Sequence, residues 1–171
     1  VSDTPAPALV DRLAARFKDT KGDIREVMRT LLASPEFLSP EAYHAKVKTP
    51  LEFIVSAVRA TGADVVNARP LTNGMQQLGM PLYQCQPPTG YKDTADAWTS
   101  TGALVNRMNF ALALSSNRLP GILVSLSPSP NPSPQPPASS LLGRDVSDAT
   151  SATIAKATTE PQKLALALGS P

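Results

Sequence analysis

Between Ser125 and Ser140 the chain reads SLSPSPNPSPQPPASS. Each proline removes a backbone donor and fixes φ, so this run can form neither a helix nor a central strand. It reads as a solvated, semi-extended linker. The core must therefore come from what lies on either side. The division predicted is a helical domain over residues 1–120, a Pro/Ser-rich linker over 121–140, and a short helical piece over 141–171. Asn131-Pro132-Ser133 is not a glycosylation acceptor, because proline occupies the middle position. Aromatics make up only 5% of the 171 residues, so a modest core has to rest on Leu, Val, Ala and Met.

Helical periodicity dominates before the linker. Leu9, Val10, Leu13, Ala14 and Phe17 mark a first amphipathic helix ending near Thr20 to Gly22. Asp23 is positioned as the N-cap of a second, with Glu26 completing a capping-box pattern. Ile24, Val27, Met28, Leu31 and Leu32 form its apolar stripe, and Ser34-Pro35 stops it. Residues 35–50 are a connector with local turns. Thr49 then caps a third helix, with Pro50 at its first position and Glu52 as reciprocal partner. Leu51, Ile54, Val55 and Val58 are predicted to face inward, with Gly62 as the stop. A short helix around Pro70 to Gly79 carries Leu71, Met75 and Leu78, and Gly74 weakens it. No strand pattern persists; GILVSL at residues 121–126 is the best candidate, and a short apolar connector explains it equally well. The fold class is all-α, an irregular multi-helix domain.

The stretch Pro81 to Asn117 organises the rest. It contains the one Trp, the one Cys and two of the three Tyr. Pro87-Pro88 extends the backbone and Thr89-Gly90 reads as a turn. Asp93 or Thr94 is placed to cap the longest helical pattern. Trp98, Gly102, Val105, Met108 and Leu112 are predicted to share one stripe of that helix, beside Leu104, Ala111 and Ser115. Asn117 ends it. After the linker, Ser147 is a cap for a helix carrying Ile154. Pro161 opens a last helix with Leu164, Ala165 and Leu168 inward and Gly169 as its stop. Some 30 residues rarely bury enough surface alone, so this piece is expected to fold back onto the first helices. Its ending, LALALGSP, echoes TLLASP at residues 30–35, a weak internal repeat.

Sites for chemistry are sparse. His44 and Cys85 are the single imidazole and thiol, and nothing in their spacing supports a nucleophilic pair. No CxxC or HExxH arrangement is present, and the Asp93/Asp96 pair reads more plainly as capping than as a metal or glycosidase site. No catalytic residue, metal or cofactor is assigned. The better candidate is a binding surface on the aromatic loop: Tyr83, Gln86, Tyr91, Lys92, Asp93, Trp98 and Arg107, with Gln84 beside them. The competing view puts Trp98 in the core and uses Arg107 to hold the Pro87-Pro88 loop. Lys46 and Lys48 read as a solvated basic cluster. A net charge of +2 and no stacking platform argue for no nucleic-acid partner. No apolar run approaches the ~20 residues of a membrane span.

Four ordered motifs resemble one bacterial family. They are RxLLxSPEF (Arg29 to Phe37), PLEFxVxAxRATG within Lys48 to Gly62, LGMPLYxxxPPTGY (Leu78 to Tyr91), and Trp98 followed by LxxRMNFAxAL through Leu114. Together they resemble the C-terminal part of the domain of unknown function 1800 family, over roughly residues 8–119 and more weakly over 141–171. Members of that family are longer, mostly helical and often carry export signals. The resemblance therefore implies a missing N-terminal part as a partner, and export to the periplasm or exterior. It names no activity. The reading it leaves first is a non-enzymatic helical module of an exported bacterial protein, binding a carbohydrate or protein ligand. The alternative is the accessory C-terminal half of a hydrolase acting on extracellular or envelope polymers, with its catalytic residues mostly elsewhere.

Overall fold

A computed structural model describes residues 2–43, 45–125 and 147–169. The Pro/Ser run from Leu126 onward, Leu141 to Val146, His44 and the terminal Ser170-Pro171 of the suspected repeat lie outside the described residues. The fold is mainly helical, as predicted, with one small two-stranded ribbon. It divides into two compact units, Val1–Val47 with Asp93–Ala95, and Lys48–Lys92 with Asp96–Pro171.

The first unit is a helical hairpin. Helix α1 (Pro7–Asp19) places a proline where the missing N–H costs nothing. It ends as Gly22 donates to the Phe17 carbonyl and Lys21 to that of Lys18. Asp23 caps α2 (Ile24–Leu32), accepting from the N–H groups of Arg25 and Glu26. The expected reciprocal half of that cap is not formed. Glu26 instead accepts from Arg16 of α1 and Arg29 of its own helix, one guanidinium on each carboxylate oxygen, and charge-assisted bonds are stronger than one to a neutral backbone donor. Arg12 bridges to Glu36 at 2.6 Å. Of the α1 and α2 side chains only Leu9 is buried.

Asp93 does not cap the long helix either. It pairs with Lys46, which also donates to Asp3 at 2.7 Å, while the Ala95 N–H donates to the other Asp3 oxygen at 2.7 Å. The Lys46 ammonium, and then the Ala95 amide, hold the Asp3 carboxyl below its ordinary 3.8. A carboxyl lowered by folding stabilises the fold above its unfolded value and loses that contribution as pH falls through the lowered value. The Ala95 amide resonance is therefore expected to titrate with a midpoint below 3.8. An NMR titration with its midpoint at or above 3.8 would contradict the tether.

The second unit holds the core. Helix α3 (Pro50–Ala60) starts on a complete capping box: Thr49 accepts from the Glu52 N–H, and Glu52 accepts from that of Thr49 at 2.8 Å. Gly62, with φ of 58°, closes it, as expected. The inward face differs from the predicted one. Phe53, Ile54 and Ala57 are buried, whereas Leu51 and Val55 are largely exposed. Pro50, Phe53, Ile54 and Ala57 keep the spacing of three and four that one helix face allows, and Leu51 and Val55 lie one step around.

Strand β1 (Asp64–Val65) pairs antiparallel with β2 (Ile122–Leu123), Asp64 opposite Leu123 and Val65 opposite Ile122. Strand β2 falls within the candidate stretch 121–126, whereas β1 was not expected. The pairing joins residues far apart in sequence, so nothing local announces β1 as the partner of β2. Helix α4 (Arg69–Gln77) buries Gly74 and Met75.

Helix α5 (Thr101–Ser115) is capped by Ser100, whose side chain accepts from the Ala103 N–H. Trp98 precedes this helix rather than riding on it. The buried face is Arg107, Phe110, Ala111, Leu114 and Ser115; the predicted Val105 and Leu112 are exposed. Asn117, with φ of 53°, ends the helix, and its amide both donates to the Val124 carbonyl and accepts from the Val124 N–H. That pair of hydrogen bonds fixes the chain leaving β2.

Helix α6 (Asp148–Ala155) is capped by Ser147, as expected. Helix α7 (Glu160–Gly169) begins one residue before Pro161 and buries Leu164, Ala165 and Ala167, with Leu168 packed partly against the core. Its partner is α5, in the most extensive helix–helix contact of the unit. The main cluster joins Ile54, Met75, Phe110, Leu114, Ile122 and Leu164. The ring of Phe110 meets that of Phe53 edge-on at 5.9 Å.

Candidate functional site

The loop after α4 is built from its own bonds. Gly79 takes a left-handed φ of 86°, which lets Met80 donate back to the Met75 carbonyl and turns the chain sharply off the helix. Gly90 donates to the Pro87 carbonyl at 3.1 Å, closing the predicted Pro-Pro-Thr-Gly turn. The Tyr91 hydroxyl reaches across the loop to the Pro81 carbonyl at 2.6 Å. The Trp98 indole N–H donates to the Lys92 carbonyl at 2.9 Å, and its ring meets Tyr91 edge-on at 6.3 Å. Burial first, then the neighbouring Cys85, push the Tyr91 phenol above its ordinary 10.0, so it remains a neutral donor. Cys85 is half-buried, with its thiol against the Pro87 carbonyl at 3.7 Å.

Two kinds of residue emerge from the predicted set. Tyr91 and Trp98 meet at the base of the loop, and Trp98 is only 6% exposed, so its indole is scaffold. Tyr83, Gln86 and Lys92 are exposed. Tyr83 is 103% exposed and holds a φ of 59°. The left-handed region costs a residue with a Cβ roughly 1–2 kcal/mol, so this ring is projected at an energetic cost. Leu82, beside it and 41% exposed, was missed by the sequence reading; its only signal was its place between Pro81 and Tyr83. Asp93 belongs to the first unit, with Lys46.

Arg107 lies apart from the loop's tip. It is 7% exposed and donates to the Lys48 carbonyl at 2.6 Å, with its guanidinium 5.1 Å from the Phe53 ring centre. It therefore ties α5 to the residue ahead of the α3 cap, not to Pro87-Pro88. The cause is periodicity: position 107 shares a face with Phe110 and Leu114, which packs toward α3. Burial pulls its pKa below the usual guanidinium value, and its Nε has no partner among the described residues. Its neighbour Asn106 donates to the Gln77 carbonyl at 3.1 Å, holding the end of α4 just before the loop.

The arrangement therefore offers a stiff loop with one flat, solvated ring, flanking amides and a single cation. Among the described residues no three His, Cys, Asp or Glu side chains converge as a metal site, and no helix is long and apolar enough to cross a membrane. His44, and with it any Cys85 pairing, lies outside the described residues. No curated protein and no solved structure matches the chain. The family described as "Protein of unknown function (DUF1800)" matches residues 1–171, the whole chain, and the protein belongs to that family.

Proposed function

We propose that this chain is a non-catalytic helical module of an exported bacterial protein, and that its 79–92 loop binds an extracellular ligand, a carbohydrate or a protein. Export is supported by the resemblance to a family whose members often carry export signals. Binding is supported by one observation: Tyr83 stands fully solvated in a strained backbone conformation on a loop braced by Tyr91 and Trp98. Strain of that kind concentrates at functional positions. A stiff loop also loses little entropy when it engages a ligand.

The test uses a substitution that suits the backbone. Tyr83→Gly removes the ring and relieves the left-handed strain, so the variant is expected to be at least as stable as the parent. Sedimentation of the full chain with insoluble peptidoglycan, chitin and cellulose is expected to show retention on at least one. Tyr83→Gly is expected to reduce that retention about tenfold, the scale of one aromatic contact. Equal retention of both proteins removes the loop from the reading. Release of soluble sugar from the same polymers would replace the module with the hydrolase half.

A further inference from the structure

Helix α2 is the most strongly amphipathic of the described helices, yet none of its side chains is buried. Val27 and Leu31 are half-covered, on the side of the helix where Glu26 meets Arg16 of α1. Ile24, Met28 and Leu32, spaced by four, form a continuous row that is 61%, 45% and 50% exposed. Such a row is the ridge that helices use to pack on one another. Alongside it run Arg25 and Arg29, also exposed. Arg29 shares the carboxylate of Glu26 with Arg16, so one negative charge serves two guanidiniums and the flank remains basic.

We propose that this face docks an amphipathic helix with acidic flanks. The apolar ridge fixes the shape of the occupant, and the arginine row fixes its charge. A second copy of the chain is disfavoured, because a two-fold antiparallel contact on α2 sets arginine rows against each other, and like charges so placed cost affinity. A helix carrying Leu at every third or fourth position with Glu on its flanks satisfies both rows at once.

Two fluorescent peptides of about 15 residues test this, one with Glu flanks and one with Lys in their place. The full chain is expected to bind the Glu peptide at least about tenfold more tightly than the Lys peptide. Met28→Glu, at an exposed position, is expected to weaken the Glu peptide about tenfold, with unchanged circular dichroism. Arg25→Glu is expected to shift preference toward the Lys peptide without altering the apolar row. The proposal fails if neither peptide binds, if both bind alike, or if Met28→Glu changes nothing. It fails equally if the chain sediments with phosphatidylserine vesicles while ignoring the Glu peptide, which would assign the face to an anionic membrane.

Discussion

Replacing Trp98 by alanine is expected to destabilise the second unit by about 3–5 kcal/mol, the range for deleting a buried aromatic side chain. The indole is 6% exposed, meets Tyr91 edge-on and satisfies the Lys92 carbonyl. Its loss opens a void at the base of the loop and leaves that carbonyl without its donor. Trp98→Phe keeps most of the volume and loses only the hydrogen bond, so about 1 kcal/mol is expected. Urea denaturation followed by circular dichroism measures both, since the single Trp is unavailable as a fluorophore in the variants. A loss below about 1 kcal/mol for the alanine variant would return Trp98 to the surface role that the sequence left open. The contrast with Tyr83→Gly is the useful one: scaffold and contact separate into different residues of the same loop.

The second large effect is expected at Gly74. A Cβ built there lies 3.0 Å from two carbons of the Phe110 ring and 3.2 Å from Ile54 Cδ1. Neither neighbour can yield easily, because Phe110 is held edge-on against Phe53 and Ile54 is 1% exposed. Gly74→Val adds two further carbons to that contact and is expected to cost about 3 kcal/mol through overpacking. Gly74→Ala is the sharper case. Alanine favours the helix by about 1 kcal/mol over glycine, yet the collision is expected to outweigh it and give a net loss. A thermal melt showing Gly74→Ala stabilised would mean the core has more room than these distances allow.

These two positions show where sequence logic succeeded and where it stopped. Helix ends were legible because capping is local. Thr49 with Pro50 and Glu52, Ser147, Gly62 and Asn117 all act where their spacing placed them. Glu26 also had the right spacing for a reciprocal cap, but Arg16 comes from another helix, and no local rule reports it. Gly74 read as a flaw in α4 because propensity counts only the backbone, whereas its reason is a phenylalanine thirty-six positions onward.

Which face of a helix turns inward was the least legible property. α5 is apolar on nearly every side, so its pattern does not single out one stripe. The contacts with α7 and with Phe53 chose Phe110, Ala111 and Leu114 over Val105 and Leu112. Arg107 followed the same face inward and met the Lys48 carbonyl. The stretch 121–126 read equally as strand or connector, and Asp64–Val65 is too short to show alternation, so only contact across the fold pairs them.

By itself the sequence determined the helical class, most of the helix boundaries, the proline-stiffened loop and the family. Each follows from residues within a few positions of one another, or from their order along the chain. The tertiary structure alone decided that Trp98 and Tyr91 brace the loop while Tyr83 faces solvent, that Gly74 is a point of closest approach, and that the ridge of α2 is bare. Those outcomes depend on which distant groups compete for the same space and the same donors, and a linear pattern does not carry that information.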